Sequence, residues 1–321
     1  MKIHEYSPRT EDGWEIDVAQ YWDDAKLDPT QPPLLLVPGY GMNAFVLGFH
    51  PGGLSMIEFL VQAGFEVWTS NLRGQGKSRR LHRRAGRIGF RELALTDVPV
   101  ALDTVRTHTR TERQDVHGLG CSLGASILYI FLAHHADHGL ASMVSIGGPL
   151  RWDDVHPLVK LAFKSPRLAG AVPIRGTRAG ARLVLPVVKR LPGLLSIYIN
   201  ASQVDLRSAD ELVKTVENPS PRLNRQIARW VGEGDMTVGG RNVTRALRDR
   251  TLPVLCVVAN RDGIVPPAAV LSVRGPIPTA EVLHVGDDDV WFAHADLFVS
   301  HTAQDAVFGP LATWLRATST P

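Results

Sequence analysis

Apolar and polar positions alternate along residues 3–22 around Glu11-Asp12-Gly13, a pattern that predicts a β-hairpin. At residue 34 the pattern changes. Leu34-Leu35-Leu36-Val37 is an unbroken apolar run, as expected of a strand covered on both faces, and it stops at Pro38-Gly39-Tyr40-Gly41-Met42-Asn43. A helix is predicted from about Leu54 to Gln62, ending at Gly64. The strand Phe65-Glu66-Val67-Trp68-Thr69-Ser70 then leads into Asn71-Leu72-Arg73-Gly74-Gln75-Gly76-Lys77-Ser78. A helix near Glu92–Thr109, interrupted by Pro99, is followed by an apolar-leaning strand over Asp115–Leu119 and a helical run over Ala125–Ala133. Leu140–Ile146 is the next strand, closed by Gly147-Gly148-Pro149.

Regular alternation stops there and resumes at Pro253–Ala259. A helix near Pro267–Val273, a strand over Ala280–Val285 and a last helix from about His294 to Leu315 complete the chain. Strands alternating with helices imply βαβ units and a mostly parallel sheet. The intervening stretch of about 100 residues is too long for a loop. It is expected to be an inserted cap over residues 151–250, with residues 1–150 and 251–321 forming the core. Such a cap would stand above the carboxyl ends of the strands, where open α/β sheets bind ligands.

Charge supports that division. Residues 151–250 carry 18 Lys+Arg against 9 Asp+Glu, whereas the remainder carries 17 against 23. With 321 residues, 44% of them hydrophobic, the chain is long enough for one large core with an insertion. No apolar run reaches the roughly 18–20 residues that span a bilayer. Met1-Lys2-Ile3-His4-Glu5-Tyr6 lacks a signal-peptide apolar segment. The two cysteines, Cys121 and Cys256, give no disulfide framework and read as reduced core thiols, so a cytoplasmic location is the expectation.

The chemistry-bearing stretch is Gly118-Leu119-Gly120-Cys121-Ser122-Leu123-Gly124-Ala125. It reads as G-x-S-x-G between a strand and a helix, a nucleophile elbow centred on Ser122. Side chains two residues before or after the serine would crowd the tight bend. A serine hydroxyl is a weak nucleophile, so it needs a base, an acid that orients the base, and donors for an oxyanion. In this architecture the partners follow in the order Ser, Asp/Glu, His, each after a successive strand. Asp262, in Ala259-Asn260-Arg261-Asp262-Gly263, fits the acid; a plain turn aspartate is the alternative, and Asp153 is the reserve acid. His294, opening the last helix, fits the base. His284 is expected to point into the sheet packing, and His301 and His117 read as structural. The backbone N–H groups of Leu123 and Tyr40 are the candidate oxyanion donors, in a loop whose glycines let the backbone approach a substrate.

These motifs resemble the α/β-hydrolase family. The likeness covers about residues 30–150 and 250–318. It rests on Val37-Pro38-Gly39-Tyr40-Gly41, Asn71–Ser78, Gly120-Cys121-Ser122-Leu123-Gly124, Asn260-Arg261-Asp262 and His294. The resemblance implies an eight-stranded sheet and a Ser122–Asp262–His294 triad. Two positions depart from it: Pro38-Gly39 where members usually have His-Gly, and Asn71 where they often have Asp. The stretches Val67–Gly74 and His294–Phe298 are similar to the acid-lipase and polyhydroxyalkanoate-synthase-like branches. Those synthases place cysteine at the nucleophile; here Cys121 is one residue early, which argues against polymerisation. Serine rather than aspartate at 122 likewise argues against the epoxide-hydrolase and dehalogenase branches.

The expected activity is hydrolysis of a carboxylic ester with a hydrophobic acyl part, through an acyl-enzyme on Ser122. Acyl transfer to another acceptor and a non-catalytic ligand-binding role are the alternatives. No metal or organic cofactor is implied. The cap joins apolar runs (Leu183–Val188, Leu194–Ile199) to Lys160, Lys164, Arg167, Arg175, Arg178, Arg182, Lys189 and Arg190. A second basic cluster comprises Arg73, Lys77, Arg79, Arg80, Arg83, Arg84, Arg87 and Arg91. Either the apolar residues form the cap's own core and the charges face water, or an acyl pocket has a basic rim suited to anionic esters or an anionic membrane surface. No nucleic-acid motif accompanies these clusters.

Overall fold

A computed structural model describes residues 1–170, 176–190 and 195–319, with the backbone alone for residues 184–190, 206 and 209. Arg175 and Leu194 therefore lie outside the described residues, as do the side chains of Val184 to Val188, Lys189 and Arg190.

Eight strands form one sheet: β1 (Lys2–Tyr6), β2 (Asp17–Trp22), β3 (Leu34–Val37), β4 (Val67–Asn71), β5 (Val116–Cys121), β6 (Leu140–Ile146), β7 (Val254–Ala259) and β8 (Glu281–Val285). Their spatial order is 1-2-4-3-5-6-7-8. β1 and β2 pair antiparallel, from Lys2 opposite Trp22 to Tyr6 opposite Val18, and β2 lies antiparallel to β4. All other pairs are parallel. The predicted hairpin is thus present, although its long connection makes a turn at Thr10–Gly13 and a two-residue ladder of Trp14–Glu15 with Arg79–Arg80.

The unbroken apolar runs follow from coverage on both faces. Leu34 and Leu36 join one cluster with α1 (Met56–Gln62) and, further along the chain, Leu311 and Leu315. Leu35 and Val37 join the opposite cluster with α2 (Val98–His108) and α3 (Leu123–His134). α3 is buried on nearly every side, which is why its run shows no polar stripe. Ser55 caps α1 and Glu58 bonds back to the Ser55 N–H, a capping box that sets the helix start.

Two helix predictions need correction. Pro99 does not interrupt its helix. A π turn over Leu93–Asp97 runs straight into α2, so the helix continues through Pro99, its second residue. The helix expected over His294–Leu315 is two pieces: α10 (Asp296–Val299), then a π turn over Gln304–Phe308 continuing into α11 (Gly309–Ala317). Ser300, extended with ψ 152°, ends the first piece. Because numbering follows the chain, α4 to α9 are the helices between these.

Between β6 and β7 the chain forms α4 (Pro157–Ala162), α5 (Pro166–Ala169), α6 (Thr177–Arg190), α7 (Pro221–Glu233) and α8 (Val243–Leu247). α9 (Pro267–Leu271) follows β7. No residue of α4 or α5 is buried, and Leu158, Leu161, Leu168 and Leu183 are exposed. From Leu223 onward the side chains behave differently: Leu223, Ile227, Trp230, Val243 and Leu247 join the same apolar cluster as α3.

The basic cluster around residues 73–91 is not one surface. Arg73 is fully buried, and its guanidinium bonds both carboxylate oxygens of Asp97, in the π turn, and of Asp12. Burial pushes the Asp97 carboxyl up to about 6 against the pull of Arg73. Lys77 and Arg79 are paired with Glu5 and Glu15.

Candidate active site

Ser122 stands between the end of β5 and the first turn of α3. Its φ of 51° is the only positive value at a non-glycine among the described residues. Such a backbone costs of order 1–3 kcal/mol and persists because the surroundings enforce it. The Ser122 N–H donates to Ile146 O of β6 at 2.8 Å, and Ser122 O accepts from Ala125 N at 3.0 Å. The motif glycines are required by space. A Cβ on Gly120 would lie 2.3 Å from Ala125 N, and one on Gly124 would lie 2.2 Å from Val37 O. The helix therefore presses on both neighbouring strands, and only hydrogen fits at those two positions.

Asp262 and His294 come together from loops after β7 and β8. His294 Nδ1 lies 2.5 Å from Asp262 Oδ2, and both residues are buried. Asp262 Oδ1 accepts from the N–H groups of Ile264 and Val265, at 2.8 Å each. With Nδ1 held by the carboxylate, the imidazole has Nε2 for other work. The turn at Gly147–Gly148 passes close to both the pair and the serine. A Cβ on Gly147 would be 3.1 Å from His294 Cε1 and 3.5 Å from Asp262 Oδ2, and one on Gly148 would be 2.9 Å from Ser122 O.

The loop after β3 approaches Ser122 from the other side: a Cβ on Gly39 would meet Ser122 Cβ and Cys121 O, each at 3.0 Å. Gln75 braces that loop, its Nε2 donating to Gly39 O at 2.9 Å. The Tyr40 hydroxyl donates to Asn224 of α7 at 2.6 Å, and burial pushes that phenol up to about 12. Tyr40 and Leu123 sit with Ser122 on the wall of one cavity, and Leu123 opens α3, where the first N–H groups have no intrahelical acceptor.

That cavity, about 320 Å³, is almost wholly apolar. Trp152, Phe163, Ile197, Ile227, Trp230 and Val265 supply most of its wall. Phe163 packs edge-on to Tyr40, and Trp152 edge-on to Trp230. None of these lining residues is identifiable from the chain alone, because they converge from five separate segments.

Asp296 is a further residue that sequence reasoning missed. Its buried carboxylate accepts from Ala293 N at 2.7 Å and Asn200 N at 2.9 Å. Burial pushes it up to about 7, against those backbone donors. Asn200 Nδ2 donates to Trp291 O, Ala295 N to Tyr198 O, and Gly263 N to Ile197 O. Residues 197–200 thereby fasten the loops of both His294 and Asp262. The available signal was an acid two residues after the candidate base.

The other candidates fall elsewhere. Asp153 pairs with Arg151 at the surface. His284 does not point into the sheet packing; β8 is an edge strand and the side chain is exposed. His301 is also exposed. His117 is buried, with Ser142 Oγ at 2.8 Å and Ser319 Oγ at 2.9 Å on its two nitrogens, and burial pushes it down to about 4. Cys121 and Cys256 are free and buried, and burial raises both thiols far above their usual range. Among the described residues no group of three or more His, Cys, Asp or Glu could hold a metal ion.

With this geometry in view, residues 32–292 match the model of a family described by its alpha/beta hydrolase fold. The chain belongs to the alpha/beta hydrolase fold family. Among solved structures it is similar to a thermophilic esterase from Thermogutta terrifontis, with TM-score 0.65 and 19% identity over all of both chains. It is similar to the esterase RhEst1 from Rhodococcus sp. ECU1013, with TM-score 0.65 and 17% identity over 99% of this chain and 100% of that one. A membrane phospholipase A, a bacterial virulence factor, matches at TM-score 0.63 and 14% identity over 99% of this chain and 87% of that one. At such identities the shared feature is the fold. No helix among the described residues is long and apolar enough to cross a membrane.

Proposed function

We propose that this alpha/beta hydrolase cleaves carboxylic esters with a hydrophobic acyl part through an acyl-enzyme on Ser122. The observation that carries the reading is a strained Ser122 on the wall of an apolar cavity, with a buried Asp262–His294 pair across the Gly147–Gly148 turn from it. His294 Nε2 takes the Ser122 proton as Oγ attacks the carbonyl carbon. Asp262 fixes the imidazole through Nδ1 and stabilises its cation. The Leu123 and Tyr40 N–H groups receive the oxyanion. Collapse of the tetrahedral intermediate breaks the ester C–O bond, and His294 returns its proton to the leaving alcohol. A water molecule, deprotonated by the same nitrogen, then releases the acid.

Residues 151–250 act in this reading as the cap, with α4 and α7 walling the acyl pocket through Ala162, Phe163, Ile227 and Trp230. Esterase structures of the same fold support the reaction class. The exposed Leu158, Leu161, Leu168 and Leu183 stand beside exposed Lys160, Lys164, Arg167 and Arg182, a pairing suited to an anionic lipid–water interface.

p-Nitrophenyl esters from acetate to laurate test the proposal. The wild-type kcat/KM is expected to peak at a medium or long acyl chain. Ala162→Trp, which fills the pocket, is expected to lower it at least tenfold for laurate while leaving acetate within about threefold, as expected when a change removes binding of the remote chain. A preference for acetate in the wild-type protein would overturn the acyl-pocket assignment.

A further inference from the structure

α7 has two faces. Leu223, Ile227 and Trp230 are buried, and the latter two wall the acyl pocket. Arg222, Arg225 and Arg229, spaced three and four residues apart, share another face of the helix. With Arg80 and Arg87 they line a groove of about 440 Å³ whose lining includes no acidic side chain.

These charges are poorly neutralised. Arg222 reaches Glu92 at 3.2 Å, and Arg80 lies over the Trp14 ring. Among the described residues no carboxylate stands within ion-pair distance of Arg87, Arg225 or Arg229. Like charges three and four apart oppose one another along a helix. A row of guanidinium forks in a concave site matches the oxygens of a multiply charged anion, because each fork bonds two of them. A phosphate group satisfies several arginines at once, which a single carboxylate does not.

The groove also adjoins the pocket. A narrow cleft shares Ile88 and Ser220 with the groove, and Tyr40 and Leu123 with the acyl pocket. The two hollows lie on different faces of one helix, so they are separated by about a helix diameter, roughly 10–12 Å.

We propose that the groove is a phosphate-binding subsite beside the acyl pocket, taking a small molecule that carries a phosphate or pyrophosphate group. That molecule is either the phosphorylated alcohol part of the ester or a separate phosphate-bearing effector. Phosphate binding is independent of the hydrolytic reading, and only the first source rests on it.

Pyrophosphate is the probe, titrated calorimetrically into the full chain. Wild-type protein is expected to bind it with a dissociation constant that weakens steeply with salt. Arg225→Glu/Arg229→Glu is expected to weaken binding at least tenfold, and so is the milder Arg225→Gln/Arg229→Gln, with far-UV circular dichroism unchanged. Lys160→Glu/Lys164→Glu, an equal change of charge in and just beyond α4, is expected to stay within twofold of wild type. Equal weakening in the α7 and α4 variants, or no tighter binding by wild type than by the α7 variants, would overturn the subsite.

Kinetics separate the sources. If the phosphate is the substrate's own, the α7 variants raise KM at least tenfold for an acyl ester of glycerol 3-phosphate and not for the same ester of glycerol, and pyrophosphate competes only with the former. If it belongs to an effector, pyrophosphate changes the rate on the glycerol ester without competing. Pyrophosphate binding that affects neither ester, in a protein that hydrolyses both, would overturn the subsite's place in the reaction. Binding intact in a protein that hydrolyses neither would overturn the ester reading and leave the phosphate site standing.

Discussion

Asn71 shows how much one side chain settles at this site. Its Oδ1 accepts from Ala44 N at 2.7 Å and its Nδ2 donates to Asp17 Oδ2 at 2.8 Å. Asp17 Oδ2 also accepts from Lys77 N. The amide supplies an acceptor to one side and a donor to the other, so aspartate, frequent here in similar chains, would face a second carboxylate. Asn71→Asp is expected to lower the unfolding free energy by about 1–3 kcal/mol, since it replaces the Nδ2–H donor to Asp17 with a second carboxylate oxygen in a part-buried position. Urea unfolding of the two proteins at pH 7 checks this. At this scale the strained turn at Ser122 and the Asp262–His294 contact are legible in the sequence as candidates, because glycine spacing and chain order both constrain them. Asp296 is not: its partner Asn200 lies 96 residues away, and no local pattern records that contact.

Among the elements, the loop after β4 is held to the π turn before α2 by one buried clamp, Arg73 with Asp97 and Asp12. The sequence places Arg73 within a basic run that reads as surface, and only the fold turns it inward. Removing one partner of a buried ion pair leaves the other charge uncompensated. Arg73→Ala is therefore expected to cost about 3–5 kcal/mol in chemical unfolding, whereas Arg79→Ala, at the exposed pair with Glu15, is expected to cost under about 1 kcal/mol. Equal losses in the two variants would contradict the clamp. Hydrophobic runs locate β3, β4, β6 and β7 to within a few residues, because covered strands are apolar on both faces, whereas β1 and β2 are read from alternation. The helices that contain Pro99 and Pro310 are harder to read: proline signals a break, while a π turn lets the chain run on through it.

Across the whole molecule, His117 ties the centre of the sheet to the chain end, bridging Ser142 of β6 and Ser319. Its pKa is depressed from 6.5 to about 4 in the folded state. The unfolded chain thus binds the extra proton first, and stability falls as pH drops from about 6.5 toward 4. Between pH 7 and pH 5 this amounts to roughly 2 kcal/mol, and His117→Asn is expected to lose that part of the pH dependence in urea midpoints. Asp296, raised to about 7, has the opposite sign, since its folded form favours the proton; it titrates equally in both proteins and cancels in their difference. The long stretch between β6 and β7 is legible as a gap in strand–helix alternation. Which residues of that stretch meet the cavity is not, since Trp152, Phe163, Ile197 and Trp230 are joined only by folding.

The central claim is that Ser122 is a nucleophile activated by His294 and Asp262. Covalent labelling with a fluorophosphonate, followed by peptide mass spectrometry, tests it most directly. The account predicts a single adduct on the peptide bearing Ser122, abolished in Ser122→Ala and slowed at least a thousandfold in His294→Gln, with both variants folded. A folded wild-type protein that takes no label, or a label that persists in Ser122→Ala, would contradict it.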